Sequence, residues 1–438
     1  PEAVEFARGL KADIEAKYPE LTIHLTGVSM LNNAFAETGM TDAGTLMPLM
    51  FLVIFLLTWL IIRSLAATFS TLMVIGLSTM VAMGVAGFFG IKLTPIAMSA
   101  PIVILTLAVA DSIHILMSLR GLMREGMAKT QALIEAVRIN FVPVAITSLT
   151  TVVGFLSLNF SDSPPYWHLG NITAVGILAA WIFSVTVLPA ALSLLPYKVK
   201  PKQGTDLSVR AMDRLADFVI RRYRTLLVAV GLPALAIVAF IPTLTFNDQW
   251  VQYFDDRIEF RVDSDNAQEH FGLYPIEYSI PAAEPGGISE PEYLENLEAF
   301  TAFLREQEHV THVYSISDIM KRLNRNMHAD NDDFYKIPDD RDLSAQYLLL
   351  YELSLPYGLD LNDRINVDKS ATRVTATVEQ ATSAETKQFF ADVEAWQQAN
   401  LPAYMHAQPT SAAVMFTYIS ERNMENMVTG TILAIAAI

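Results

Sequence analysis

Apolar residues gather into long runs over much of the chain, instead of recurring with the period of an amphipathic helix or strand. A helix needs about 20 apolar residues to cross a bilayer at a rise of 1.5 Å per residue. We therefore predict membrane spans at 45–62, 66–90, 95–118, 140–160, 170–195 and 224–244, with a further one beginning near 424. The first five are separated by short joints, which predicts one helical bundle in an integral membrane protein.

The basic residues of the joints predict an orientation. Lys and Arg concentrate in every second joint, namely 62–66, 119–139 and 197–224. The alternate joints, 91–94 and 161–169, contain a single Lys or Arg between them, Lys92. Basic joints face the cytoplasm in most membrane proteins. The opening residues and the segment 246–421 are therefore predicted to lie outside.

The segment 246–421 has the composition of an exported, soluble α+β domain. It contains 31 Asp and Glu against 12 Lys and Arg, a net charge of −19, and solubility alone explains such acidity. β-branched and aromatic residues predict strands in "PIEYSIPA", "VTHVYSIS" and "TRVTATVEQ". Helices are predicted at 290–307, 343–353 and 384–399, the first with a capping box of Ser289 and Glu292. No basic, aromatic-interleaved surface predicts nucleic-acid binding.

The two ends of the chain resemble each other. "FARGLKADIEAKYPELTIHLTG" aligns with "FFADVEAWQQANLPAYMHAQPT" at an offset of 383, so that Phe6 meets Phe389 and Pro19 meets Pro402. In each copy we predict a helix that leads through a Pro to a short strand, followed by a polar helix and a membrane span. Because the chain begins with Pro1 and its last apolar run is short, we interpret it as an internal piece of a longer, duplicated protein.

These boundaries predict six parts. They are the end of a first outside domain (1–42), a transmembrane bundle (43–196), a cytoplasmic amphipathic linker (197–223), a further span (224–245), a second outside domain (246–421) and the start of another span (422–438).

Asp111 and His114 interrupt the apolar run "LTLAVADSIHILMSL". A charged side chain near the middle of a membrane costs about 3 kcal/mol or more, so these residues predict a function. They lie three positions apart and share one helical face. Removal from water disfavours the charged form of each group, whereas their mutual attraction favours it. The pair is therefore a candidate proton relay; the alternative is a pair that only fixes helix packing.

Hydroxyl groups supply the other candidate relay residues. Ser112 is adjacent to Asp111, and the next span, "VAITSLTTVVGF", contributes Thr147, Ser148 and Thr151. Hydroxyls in a membrane helix most often bond to their own backbone, so helix packing is the alternative for these residues.

Several classes of chemistry are excluded or disfavoured. The absence of cysteine excludes disulfides, zinc–thiolate sites and thiol catalysis. The sequence contains no HExxH spacing, no G-x-S-x-G elbow and no P-loop. We therefore predict no enzyme activity, no metal and no cofactor, and a driving force supplied by an ion gradient.

Four stretches resemble the resistance-nodulation-division (RND) transporter superfamily, in its MMPL-type, lipid-exporter-like branch. They are "IIRSLAATFSTLMVIGLS", "GFFGIKLTPIAMSAPIVI", "VADSIHIL" and "ITSLTTVVGFLSLNFSDSPP" with "LPAALSLLP". The resemblance implies an all-α, sterol-sensing-domain-like membrane bundle with an α+β extracytoplasmic porter-like domain. It makes 43–196 spans two to six, 224–245 span seven and 422–438 the start of span eight.

The resemblance also implies a function: proton-driven export of hydrophobic or amphiphilic molecules, above all lipids, from a bacterial inner membrane with periplasmic domains. Asp111 matches the family's proton-carrying residue of span four, although efflux pumps have a second Asp where this chain has Ser112. The implied partners are membrane lipids, apolar cargo and protons, with a homo-oligomer left open. Two alternatives stay open: a sterol-sensing-type lipid sensor without transport, and an accessory subunit of protein secretion.

Overall fold

The computed structural model describes residues 2–199, 207–243, 250–379 and 381–438. Parts of the predicted linker, of the span 224–245 and of the segment 246–421 lie outside the described residues, at 200–206, 244–249 and 380. The chain divides into two compact units. The described parts of Pro1–Ala34 and Phe246–Glu421 form one unit, here called the α+β unit, and those of Phe35–Thr245 and Arg422–Ile438 form the other, here called the helical unit.

The helices, numbered in chain order, are α1 (Glu2–Lys17), α2 (Val28–Ile62), α3 (Leu65–Phe88), α4 (Ala100–Arg124), α5 (Lys129–Leu156), α6 (Pro164–Val185), α7 (Val187–Leu194), α8 (Leu207–Val238), α9 (Glu259–Phe271), α10 (Pro291–Arg305), α11 (Ile316–Met327), α12 (Arg341–Ser354), α13 (Ser383–Asn400) and α14 (Ala412–Ala437). The strands are β1 (Tyr274–Pro281), β2 (Val310–Tyr314), β3 (Ala371–Val378) and β4 (Pro409–Thr410).

The chain is a multi-pass membrane protein. Among the described residues, five helical stretches are long and apolar enough to cross a membrane: Val28–Ile62, Leu65–Phe88, Ala97–Arg124, Lys129–Phe160 and Pro164–Leu194. Each contains one of the first five predicted spans or most of it. Hydropathy located the apolar part of each helix but not the polar first residues of α2 and α5. These residues are helical too, because many polar residues have a helix propensity close to that of apolar ones.

Three further span predictions differ from the structure in detail. The predicted span 170–195 is two helices, α6 and α7, joined at Thr186. The predicted span from 224 lies on α8, which begins earlier and departs from helical geometry at Arg222 (φ −118°, ψ 21°). The span predicted to begin near 424 lies on α14, which begins at Ala412.

Close packing in the helical unit depends on small residues. α6 contacts α3, α4 and α5. A Cβ added to Gly170 of α6 would overlap the Phe155 carbonyl oxygen and lie 3.1 Å from Leu158 Cβ. A Cβ at Gly176 would overlap Ile104 and lie 3.2 Å from Ala82 Cβ. Membrane helices approach closely where such small residues face each other, so these two positions set the spacing around α6.

The α+β unit contains an antiparallel sheet in the order β2-β3-β1-β4. β1 and β3 pair along their full length, from Tyr274 opposite Val378 to Pro281 opposite Ala371. Their residues alternate between more and less buried positions, as one-sided packing of a sheet requires. Tyr278 of β1 is fully buried in the core together with Tyr293 and Phe300 of α10.

Two predictions for this unit are wrong in detail. The capping box of Ser289 and Glu292 does not form, because α10 is preceded by Glu290, which makes no side-chain cap, and begins with Pro291. A capping box is present instead at Thr382 and Glu385, at the start of α13. The strand predicted in "VTHVYSIS" ends at Tyr314, because Ser315 accepts a hydrogen bond from Ser317 N and caps α11.

The first residues of the chain pack against α9. His24 Nδ1 lies 2.7 Å from Asp263 Oδ1, and Leu25 N donates to Asp263 Oδ2 at 2.9 Å. Lys11 Nζ forms an ion pair with Glu259 at 2.8 Å. The order of elements follows the repeat in part: a Pro and a long helix, α2 or α14, follow both α1 and α13. The predicted strand is present after Pro402, as β4, but not after Pro19, and the predicted polar helix and span are one continuous helix in each copy.

Candidate functional site

Asp111 is buried in α4, with 4% of its surface exposed. Its hydrogen-bond partner comes from α5: Ser148 Oγ donates to Asp111 Oδ2 at 3.2 Å. Ser148 is itself 3% exposed. Within the described ranges, no Lys, Arg or His forms an ion pair with Asp111. A carboxylate in this position loses most of its hydration, and one hydroxyl replaces only a part of it.

The two polar neighbours of Asp111 on α4 face different surroundings. His114, predicted to share a face with Asp111, is exposed on the surface of the helical unit. Ser112 is fully buried, and its hydroxyl has no hydrogen-bond partner among the described residues. The structure therefore brings Ser148, rather than His114, into contact with the carboxylate.

The remaining hydroxyl candidates bond within their own helix. Thr147 Oγ1 donates to Pro143 O at 2.9 Å, and Thr151 Oγ1 donates to Thr147 O at 2.7 Å. Both hydroxyls thus have acceptors on the backbone of α5, as hydroxyls in membrane helices commonly do.

A second polar pair joins the same two helices and was missed in the sequence. Asn140 Nδ2 donates to Ser118 Oγ at 2.7 Å, and Asn140 is 8% exposed. Ser118 lies seven residues after Asp111, about 10 Å along α4. Buried Ile115 lies between them on α4. The pairs Asp111–Ser148 and Ser118–Asn140 are therefore two separate polar contacts between α4 and α5. The sequence contained one indication of this pair, the polar side chain of Asn140 at the first position of the predicted span 140–160.

A third polar cluster joins the loop after α5 to α14. Ser161 Oγ donates to Asn423 Oδ1 at 2.9 Å in a buried contact. Asp162 forms an ion pair with Arg422 at 2.6 Å and accepts from Asn426 Nδ2 at 3.0 Å. These contacts fasten α14 to the end of α5 within the helical unit. No local pattern in the sequence indicates these contacts, because the partners lie more than 250 positions apart in the chain, 262 for Ser161 and Asn423.

The basic side chains of the predicted cytoplasmic joints contact helix ends. Arg120 donates to Ile61 O at 2.7 Å, near the last residue of α2. Lys129 Nζ donates to Leu195 O at 2.8 Å, just after α7. Helix C-termini carry unpaired carbonyl groups and partial negative charge, so these cations stabilise them. Among the described residues, no group of three or more His, Asp or Glu is arranged to hold a metal ion.

The chain is similar in sequence to a known protein family and similar in fold to a solved structure. A model described as the MMPL family matches residues 3–232. The hopanoid transporter HpnN of Rhodopseudomonas palustris (strain TIE-1) is 29% identical over 180 residues, 40% of this chain and 20% of that protein. The cryo-EM structure of the hedgehog release protein Disp from the water bear Hypsibius dujardini matches with a TM-score of 0.53 at 14% identity. That match covers 92% of this chain and 52% of the Disp chain.

The chain is shorter than the proteins it matches. It spans 20% of the length of HpnN and 52% of the Disp chain. The likeness to the solved structure confirms the predicted fold class, an all-α membrane bundle with an α+β domain.

Proposed function

The chain belongs to the MMPL family, and from this premise we propose that it is part of a proton-driven RND-type transporter that exports hydrophobic or amphiphilic molecules, above all lipids. The name of the similar Rhodopseudomonas protein, a hopanoid transporter, supports a lipid-like cargo. On this proposal the protein is a secondary transporter and not an enzyme, and protons and membrane lipids are its partners.

The observation that carries the proposal is the buried pair of Asp111 and Ser148. Protonation of Asp111 removes a charge from a buried interface. Deprotonation restores that charge, and among the described residues Ser148 is its hydrogen-bond partner. The two states differ in the energy of the contact between α4 and α5, because a buried charge and a neutral acid need different surroundings. A proton that binds from one side and leaves to the other would thereby shift the two helices between two arrangements.

The proposed roles of the other candidates follow from their positions. Ser112 is proposed to line the relay next to Asp111, because its buried hydroxyl has no hydrogen-bond partner among the described residues. Thr147 and Thr151 support the backbone of α5 on either side of Ser148. His114, on the surface of this unit, is proposed as the group that exchanges protons with Asp111 from outside the α4–α5 interface.

The proposed orientation rests on the basic joints. Arg120 lies near the C-terminus of α4 and Lys129 is the first residue of α5, on either side of the short joint between these helices. Both donate to carbonyl groups at the ends of other helices. We assign this joint to the cytoplasm, following the bias of Lys and Arg toward cytoplasmic joints. The α+β unit is then periplasmic, and the membrane is the bacterial inner membrane.

The test is transport by the full-length protein reconstituted into liposomes with an imposed pH gradient. Asp111→Asn keeps the size of the side chain but cannot ionise. We expect it to abolish both gradient-driven release of a fluorescent lipid and the accompanying proton flux, measured with an internal pH dye. Asp217→Asn, the same change at an exposed position of α8, is the matched control and should transport normally.

The outcomes separate the alternatives. Wild-type rates in Asp111→Asn, with normal insertion, would refute the relay. A wild-type protein that binds lipid without coupling its movement to protons would favour the lipid sensor. Cross-linking of the α+β unit to a polypeptide in transit, in the absence of lipid transport, would favour the secretion accessory.

A further inference from the structure

α14 is fixed at two places along its length. Its first turns belong to the core of the α+β unit, where Val414 is 8% exposed and the ring centroids of Phe416 and Trp250 lie 5.9 Å apart. Its later residues contact the loop between α5 and α6 in the helical unit. α14 is one helix from Ala412 to Ala437, about 39 Å long. Nothing in the relay described above uses this arrangement.

The buried part of the contact with the loop is a pair of neutral polar groups. Ser161 Oγ donates to Asn423 Oδ1 at 2.9 Å, and the two residues are 5% and 6% exposed. Ser161 Oγ also accepts from Ser163 N at 3.1 Å. Separating α14 from the loop would leave the Ser161 hydroxyl and the Asn423 carbonyl without each other in a place largely closed to water. Because buried polar groups that lose their partners are costly, this pair holds helix and loop together.

Further polar groups extend the contact to the surface. Asp162 forms an ion pair with Arg422 at 2.6 Å and accepts from Asn426 Nδ2 at 3.0 Å. An exposed ion pair contributes little to stability by itself. These bonds reach the same loop as the buried pair, however, so together they also fix the rotation of α14 about its axis. We call the contacts of Ser161 and Asp162 with Arg422, Asn423 and Asn426 the α14 clasp.

Two turns farther along, α14 touches the end of α5 itself. A Cβ added to Gly430 would lie 2.8 Å from the carbonyl oxygen of Ser157 and 3.2 Å from Phe160 Cβ. Ser157 is the C-cap residue of α5 and lies about 14 Å along the helix from Ser148. Helices that approach this closely at a small residue have little room to slide past each other. The end of α5 and this part of α14 therefore form one packed body.

We propose that the α14 clasp is a positioning element of the transport cycle: it makes α14 follow the end of α5, and α14 carries that movement into the core of the α+β unit. α5 bears Ser148, the partner of Asp111, so a change in the contact between α4 and α5 reaches the clasp along a single helix. α14 then delivers the movement at Val414 and Phe416. This assignment rests on the proposed function, because it gives the relay a route by which protonation acts on the α+β unit.

The test measures proton and lipid movement together, in liposomes that contain the full-length protein and an imposed pH gradient. An internal pH dye reports proton flux, release of a fluorescent lipid reports transport, and the ratio of the two measures their coupling. Asn423→Leu keeps the approximate size of the side chain and removes the acceptor for Ser161. Thr429→Val is the matched control, because this exposed hydroxyl of α14 donates to Glu425 O of its own helix.

We expect Asn423→Leu to lower the lipid released per proton about fivefold, the factor that corresponds to one neutral hydrogen bond, while proton flux continues. Gly430→Ala should act in the same direction, because its Cβ must push α14 away from Ser157 O. Thr429→Val should keep the wild-type ratio. A clasp that only stabilised the fold would lower both fluxes in proportion to the amount of folded protein. An unchanged ratio in Asn423→Leu would therefore overturn the assignment.

A covalent clasp provides a second test that does not depend on the folding of Asn423→Leu. The double variant Ser161→Cys/Asn423→Cys replaces the hydrogen bond by a disulfide, in a chain that has no cysteine of its own. We expect the pair to oxidise and the oxidised protein to keep the wild-type ratio, because the clasp stays closed throughout the cycle. Failure of the pair to oxidise, or a loss of transport on oxidation that reduction restores, would contradict the assignment.

Failure of the clasp and failure of the proposed function give different results. A wild type whose lipid release is independent of proton flux would refute the proposed function, and the role of the clasp with it. Coupled fluxes in the wild type that Asp111→Asn abolishes, together with a wild-type ratio in Asn423→Leu, would refute the clasp alone.

Discussion

Gly170 offers a direct test of how tightly α6 packs against the end of α5. It is buried, and an added Cβ would overlap the backbone oxygen of Phe155 and approach Leu158 Cβ to 3.1 Å. The overlapping atom belongs to the backbone, so it cannot move by a change of rotamer. Gly170→Ala must therefore separate the two helices or bend one of them.

The expected magnitude combines two opposing effects. Alanine favours a helix over glycine by about 1 kcal/mol. Inserting one carbon into a closely packed interface costs about 1–3 kcal/mol, and contact with rigid backbone places this site at the upper end. We therefore expect Gly170→Ala to destabilise the helical unit by about 1–2 kcal/mol net.

The matched control is Gly154→Ala on α5, next to the same contact. A Cβ at Gly154 meets no atom within 4 Å, so only the helix preference remains, and the variant should be as stable as the wild type or slightly more so. The assay is the thermal midpoint of the detergent-solubilised protein, followed by loss of the monodisperse peak in size-exclusion chromatography. Equal midpoints for Gly170→Ala and Gly154→Ala would refute the packing described for α6.

Three further predictions address other parts of the molecule. His114→Gln should shift the pH profile of transport without abolishing it, as measured in liposomes; an unchanged profile would restrict His114 to packing. Burial raises the pKa of Glu298, but hydrogen bonds from Lys321 and Ser317 outweigh it, so the pKa lies below its usual 4.5. Glu298→Gln should therefore lower the thermal midpoint at pH 7, with a difference that fades as the pH falls below about 4; a difference independent of pH would contradict this ion pair. Thr382→Ala removes the capping box of α13 and should cost about 1 kcal/mol, visible as faster hydrogen exchange in its first turn, whereas unchanged exchange would show that the cap contributes nothing.

The sequence predicted those helices and strands whose own residues identify them, without reference to the elements they pack against. The apolar runs indicated the five candidate spans. β-branched and aromatic residues indicated β1 and β3, because these residue types favour a strand wherever its partner strands lie. The Ser289–Glu292 box failed because a local pattern does not show that Pro291 begins the helix. α11 was missed because a strand and a helix meet at Ser315 without a break in composition.

For the candidate site, too, the sequence predicted a residue but not the contacts it makes. Asp111 stood out because a carboxylate in an apolar run is costly wherever it points. Its pairing with Ser148, and the pair of Ser118 and Asn140, depend on the register between two helices, which neither helix encodes alone. His114 shares a helix with Asp111 at a favourable spacing, yet packing left it at the surface. Spacing along one helix therefore identified candidates but not contacts.

The bonds between His24 and Asp263 impose an order on biogenesis. The partners are 239 residues apart, and ribosomes add about 5–20 residues per second. The opening segment must therefore wait roughly 10–50 s for α9 to be synthesised, while the intervening helices are being inserted. Until then His24 and Leu25 lack their partner Asp263, so a chain that stalls before residue 263 is without both hydrogen bonds.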